Sequence, residues 1–381
     1  MLQNLRRGLI VITAFSVAVA AATGPAGAAD PSSSQTGSAA STPAQLSPEV
    51  ARKAKGTDPA ARNRVLTEYW TPERMRNARP METVLRETVK PVTPLRAGTG
   101  IDRAQKPVIV PPTAPTVVPP AEVATTNVDD VVAPNAIPPI APSPVTGPST
   151  YRPDYPAGHK VARTMGKVFF TMGGQDAVCS AGVVTSPGRA LVWTAGHCVH
   201  GGGSGGAWAR NWVFVPNYTL LPSGNPVAPY GIWYATALFA DRAWVDHKTQ
   251  HSDVGAAIMQ FRADKLIQDV VGAQGIAFSL PYYPVVTAFG YPAEAPFNGE
   301  LLWRADSNSF DAGASIIFMQ NQMNGGSSGG YWLSGFNGES GLVNGHNSFT
   351  VDGANVFMFS PYYGLSTSAF YNGVKDYTPA S

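Results

Sequence analysis

Charge is scarce in this chain and nearly balanced: 14% of residues are Asp, Glu, Lys or Arg, and the formal net charge is +2. No basic stripe crosses its β-like region, which removes the electrostatic footprint of a nucleic-acid binder. Past the amino-terminal leader no segment is long and apolar enough to cross a bilayer. Cysteine is held to Cys179 and Cys198. With His197 and His200 they could be dressed as a zinc set, but the spacing fits no common finger. The run GGGSGG at 201–206 has no P-loop lysine and no strand-to-helix context, so it reads as a loop at a rim and not as a phosphate cradle. No metal or other cofactor is implied.

What is present begins with an address. MLQNLRR, the apolar run GLIVITAFSVAVAAA and Ala26-Gly27-Ala28 make a basic region, a hydrophobic region and a cleavage site, a secretory leader over 1–28. Its apolar stretch is short of the roughly 20 residues a span needs. Export places the chain outside the cell, free or associated with the cell surface, where cysteine pairing is the default. An even count then predicts one Cys179–Cys198 disulfide, which closes a loop of roughly 20 residues and stabilises by about 3 kcal/mol in the loop-entropy model.

Composition divides the rest. Residues 29 to about 47 are rich in Ser, Ala, Pro and Thr, and residues 106–150 contain PVIVPPTAPTVVPP and IPPIAPSPVTGP; both read as extended, poorly ordered and unable to form a core. Between them the charged stretch 47–89 carries a helix start, with Thr71 as N-cap, Pro72 at the first helical position and Glu73 in the first turn. We read 29–105 as a pro-region with one or two short helices and 106–156 as a Pro-rich linker. Beyond it, KVFFTM, AVCSAGVV, ALVWTAG, NWVFVPN, GIWYATALF, PVVTAFG and SIIFMQ are β-like runs parted by Gly, Pro and Asn turns. Residues 157–381 therefore form an all-β domain large enough for two packed barrels or a sandwich.

Three boxes in that domain carry chemistry. In LVWTAGHCVH, His197 ends a strand on a small-residue turn, and a disulfide at Cys198 would pin it there. In HSDVGAAIMQF, Asp253 stands at the mouth of an apolar strand, where a carboxylate can be buried to orient an imidazole. Asp241 and Asp246 compete for that role from more polar surroundings. In NGGSSGGYW, at 324–332, Gly/Ser composition alone favours a linker, but the apolar flanks favour a rigid turn. Ser328 has a glycine two positions before it and two after it. The backbone N–H groups of Gly326 and Ser328 could then face one small space as an oxyanion hole.

These boxes resemble the His, Asp and Ser motifs of the chymotrypsin-like (trypsin-fold) serine peptidases, in that family's chain order. The stretch FGYPAEAPFNGELLWRAD and the run GGSSGG are most similar to the secreted bacterial glutamyl-endopeptidase-like and trypsin-like branch. The resemblance spans roughly 160–375. It implies two six-stranded antiparallel barrels, Ser328 as nucleophile, His197 as general base and acid, Asp253 as orienting carboxylate, and a monomeric secreted endopeptidase made as a zymogen that acts on protein or peptide. The alternative is an inactive peptidase fold used for binding or at the cell surface. The resemblance also places Gln322, Met323, Asn344 and His346 at the substrate pocket; none is a carboxylate, so the usual counter-charge for Lys or Arg is missing. Ser327 stands where many relatives have aspartate, so a buried amino terminus has no charge to pair with.

Overall fold

The computed structural model of the chain describes residues 38–54, 58–88, 106–117, 149–153, 155, 158–220, 226–281, 285–351 and 356–379. The leader expected at 1–28 and most of the Pro-rich stretch lie outside them.

Residues 38–88 fold as a strand β1 (Ala39–Pro43), helices α1 (Pro48–Lys53), α2 (Pro59–Tyr69) and α3 (Pro72–Asn77), a two-residue strand β2 (Arg79–Pro80) and helix α4 (Met81–Thr88). The first three helices start alike. Ser47, Asp58 or Thr71 accepts a first-turn N–H, and a proline follows. Proline lacks only an N–H that the helix start leaves unpaired anyway. The helix start at Thr71 and Pro72 is as expected, and the segment holds more helices than the one or two expected. Further on come β3 (Val108–Val110) and β4 (Ser149–Tyr151).

Helix α5 (Lys160–Thr164) leads into β5 (Met165–Met172), β6 (Gln175–Val183), β7 (Leu191–Thr194), β8 (Arg210–Pro216), the hairpin β9 (Thr219–Leu220) and β10 (Pro226–Val227), β11 (Trp233–Asp241), α6 (Arg242–His247) and β12 (Gly255–Met259). Strands β11, β12, β7, β6, β5 and β8 pair antiparallel in that order, and β8 returns to β11, so the sheet closes into a barrel. Val168, Phe170, Ala181, Trp212, Phe214 and Leu238 fill it. The chain continues through α7 (Ile267–Val271), β13 (Gly275–Phe278), β14 (Val285–Gly290), β15 (Trp303–Gly313), β16 (Ile316–Gln320), β17 (Tyr331–Ser334), β18 (Leu342–His346), β19 (Phe357–Pro361) and α8 (Leu365–Val374). Its second sheet runs β19-β16-β15-β14-β17-β18-β13-β3, antiparallel except for β13 with β18. Trp193, Phe289, Tyr331, Leu333 and Tyr363 pack together between the two sheets. The architecture is the expected all-β, two-barrel one.

Two stretches behave differently from their composition. Strand β1, in the Ser/Ala/Pro/Thr-rich part, pairs with β11, Ala39 opposite Asp241. Strands β3 and β4, at the two ends of the Pro-rich part, pair with β13 and β15. Adding a strand to a sheet needs only free backbone groups along the edge, so an apolar pattern in the added strand is not required.

The outer face of the first barrel explains the helices. Every residue of β5 is buried, on both faces. Its outward Phe169, with Val178, Val213 and Val215 of the neighbouring strands, packs under Val50, Leu66, Trp70 and Met75 of the amino-terminal helices. The Trp70 indole N–H also donates to the Asn211 carbonyl at 2.8 Å. Trp70→Ala therefore removes a buried indole and its hydrogen bond to that carbonyl; we expect it to destabilise the full chain by about 3–5 kcal/mol in chemical denaturation. An unchanged midpoint would show that the helices do not cover the barrel in solution.

Candidate active site

The site begins with a buried carboxylate. Asp253 follows a single 3-10 turn, Gln250–Ser252, at the mouth of β12, and is 2% exposed. Its Oδ1 accepts the His197 backbone N–H at 2.8 Å, and its Oδ2 lies 2.8 Å from His197 Nδ1. The Ser348 hydroxyl donates to the same Oδ2 at 2.5 Å. Burial pushes this carboxyl up, but His197 first, then His346 and the Ser348 hydroxyl, reverse that and hold it below the usual carboxylate range. His197 sits on the short turn Gly196–Cys198 after β7, and the Cys179–Cys198 bridge ties that turn to β6 with Cα atoms 6.1 Å apart. The two sulfurs grouped with the His197 ring are therefore bonded to each other and are not thiolate ligands.

The run NGGSSGGYW is a rigid turn. Gly326 has φ +93° and Gly329 φ +81°, both left-handed. A Cβ on Gly326 would stand 2.9 Å from the Tyr291 carbonyl oxygen, and one on Gly329 would stand 2.3 Å from the Ser180 carbonyl oxygen. Only glycine fits either place. The Ser180 hydroxyl donates to the Gly326 carbonyl at 3.0 Å and accepts the Tyr291 N–H at 2.8 Å, so β6 and the GYP segment hold the turn from behind. Ser327 is 1% exposed, and its hydroxyl has no hydrogen-bond partner. Its carbonyl accepts from the Gly330 N–H at 2.9 Å and from the Asn347 side-chain amide at 3.1 Å. That amide also donates to the Phe289 carbonyl, and the Asn347 side-chain oxygen accepts the Trp332 indole. The turn is thus ordered by a side-chain amide beside an uncharged serine.

A residue absent from the sequence reading occupies the centre. Glu82, in the first turn of α4, accepts the Ser328 hydroxyl on Oε1 and the Gly326 N–H on Oε2, the latter at 3.1 Å. Its Oε1 also lies 3.7 Å from His197 Nε2. Burial alone would lower the His197 pKa; Asp253 first and Glu82 second raise it instead, to about 10. Burial would likewise raise Glu82, and His197 with the Ser328 hydroxyl outweighs it and lowers it. The ring thus lies between two carboxylates, and both favour its charged form.

Of the four residues placed at the pocket, Gln322 and Met323 line a cavity of about 580 Å³ beside Ser328, together with Asn324, Phe349, Thr350 and Met358. Asn344 and His346 are buried elsewhere. Asn344 donates to the Ala277 carbonyl at 2.9 Å, and His346 Nδ1 lies 2.8 Å from the Tyr363 hydroxyl. Burial drops the His346 ring to about 4, so it is neutral. The carboxylates bordering the cavity come from outside the serine turn and β18: Glu82, and Glu294, which accepts the Thr83 hydroxyl at 2.7 Å. Asp241 caps α6, and Asp246 is exposed on it. The sequence reading also passed over Ser180, Asn347 and Ser348. A lone hydroxyl or amide beside a strand has no spacing to announce it, and Glu82 looks like any first-turn acid of a helix.

No protein-family model and no curated protein matches the sequence. Solved structures do. Protease Anisep from Arthrobacter nicotinovorans is 35% identical, with 97% of it and 57% of this chain covered and a TM-score of 0.53. A thermostable serine protease, AL20, from an extremophilic microorganism is 36% identical, with 97% of it and 56% of this chain covered and a TM-score of 0.52. A Glu endopeptidase matches at 15% identity, with 97% of it and 60% of this chain covered and a TM-score of 0.49. Much of this chain therefore has no counterpart in the two proteases. An identity of about a third, sustained over nearly their whole length on a two-barrel fold, goes beyond a shared fold: the chain belongs to the chymotrypsin-like, trypsin-fold serine peptidases.

Proposed function

We propose that the chain is a secreted serine endopeptidase that hydrolyses peptide bonds through an acyl-enzyme on Ser328. One observation carries this reading. The Ser328 hydroxyl and His197 Nε2 converge on a single oxygen atom, Glu82 Oε1, while the Gly326 N–H points at the other oxygen of the same carboxylate. A nucleophile, a base and an oxyanion donor thus surround a space the size of one carboxyl group, which is what a tetrahedral intermediate needs.

With that space open to substrate, neutral His197 takes the Ser328 proton as Oγ bonds to the peptide carbonyl carbon. The oxyanion forms against the N–H groups of Gly326 and Ser328. The imidazolium, steadied by Asp253, then gives its proton to the leaving amine as the C–N bond breaks. Water repeats the sequence on the ester and releases the acid and Ser328. The chain's own residues suffice for both halves. We assign 157–381 as the catalytic unit, 1–28 as leader, 29–105 as pro-region and 106–156 as linker. Extracellular work, free or at the cell surface, suits the leader-like start and the buried disulfide. Among the described residues no helix is long and apolar enough to cross a membrane. We take the enzyme to act as a monomer on protein or peptide.

In the secreted, processed protein, Ser328→Ala should lower turnover of a chromogenic peptide ester by about 10⁵–10⁶-fold, as loss of one member of a triad does. Ser327→Ala should cost about 10-fold or less, because its hydroxyl bonds nothing. Equal losses from the two would overturn the choice of nucleophile.

A second expectation concerns Ser348. Ser348→Ala removes one of the three donors to Asp253 and should lower kcat/KM by about 10-fold, with the burst of acyl-enzyme retained. An unchanged kcat/KM would mean that the backbone N–H and the ring of His197 orient that carboxylate unaided.

A further inference from the structure

Glu82 is too well placed to be a surface residue that happens to face the cleft. Strand β2 fixes the chain just before it, Arg79 opposite Ala177 and Pro80 opposite Val178 on β6. Met81 and Val84, 0% and 1% exposed, enter the core of the first barrel on either side of it. Leu85 packs on the same core, and residues 81, 84 and 85 share one face of a helix. Thr83 donates to Glu294 across the cavity mouth. The first turn of α4 is thus held by a strand pair, two apolar anchors and a hydrogen bond, and the one side chain it sends to the centre is a carboxylate.

We propose that the Glu82 carboxylate is the group that blocks the site while the amino-terminal segment is attached, by occupying the oxyanion position and engaging the Ser328 hydroxyl. The proposal rests on the peptidase reading above. The carboxylate interferes with each part of the reaction. Its Oε2 takes the Gly326 N–H that an oxyanion needs. Its Oε1 accepts the Ser328 hydroxyl, which is thereby turned away from His197 Nε2 and makes no hydrogen bond to it. Its charge adds to that of Asp253 in favouring the protonated ring, and an imidazolium cannot act as a base. In charge the arrangement copies the reaction intermediate: an anion in the oxyanion site facing a protonated histidine. The partner this surface fits is therefore an acidic side chain on the first turn of an apolar-anchored helix, supplied in cis.

The test labels the full chain with a fluorophosphonate, which phosphonylates an active serine with loss of fluoride. Glu82→Ala should be labelled at Ser328 at least about 10-fold faster than the unsubstituted chain, the scale of losing charge-assisted hydrogen bonds. Glu82→Gln, of equal size, should also be faster, and it decides the matter if the alanine variant does not fold. Val84→Arg unseats α4 while keeping Glu82, and should be labelled fast as well. An unsubstituted chain labelled as fast as both Glu82 variants would overturn the proposal. So would slow Glu82 variants beside a fast Val84→Arg, because bulk alone would then account for the block. If no form is labelled, the peptidase reading itself falls, and the proposal with it.

Discussion

The site depends on one buried charge. Asp253 gathers three donors on two oxygens, from the His197 backbone, the His197 ring and Ser348. Asp253 and His197 belong to the first barrel, whereas Ser348 follows β18 of the second. The carboxylate therefore ties the orientation of the imidazole to the packing of one barrel on the other. A charge this deep stays only while its donors stay, because an unpaired buried ion costs several kcal/mol. The disulfide next to His197 restrains the same turn covalently, so the ring is fixed from the backbone side and from the carboxylate side at once.

The amino-terminal segment has two functions that cannot be separated. Its helices cover Phe169, Val178, Val213 and Val215 on the outside of the first barrel, and its last helix delivers Glu82. Removing it to open the active site would also expose that apolar face. Any form of the protein without residues 38–88 then carries a patch of the kind that seeks a partner or a substrate chain. The two solved proteases, matched almost throughout by little over half of this chain, belong to the same family without most of the added length.

The sequence was legible where chemistry demands particular residues at particular places. His197 at a strand end, Asp253 before an apolar strand and Ser328 among glycines were readable because each local conformation admits few alternatives, as the left-handed Gly326 and Gly329 illustrate. The all-β class was readable from the short β runs, which left barrels or a sandwich open; the resemblance of the three boxes implied the two barrels. What was not readable depends on contacts distant in sequence. Ser348 lies 95 positions from the carboxylate it supports, and Glu82 lies 246 from the serine it blocks. His346 read as a pocket residue from its strand; it is packed against Tyr363 in the core, and Phe349 and Thr350, a few positions on, line the cavity instead. Strands β1 and β3 were hidden because pairing at a sheet edge asks nothing of side chains.

In the full chain Asp253 and Glu82 together favour the charged form of His197. Raised above its unfolded value, this histidine adds stability that is complete below about pH 6.5 and is lost as pH rises through the folded value. Following the ring protons of His197 by NMR in the intact protein measures that value directly. The midpoint should lie far above the ordinary histidine range, at about 10. A midpoint at or below about 6.5 would contradict it.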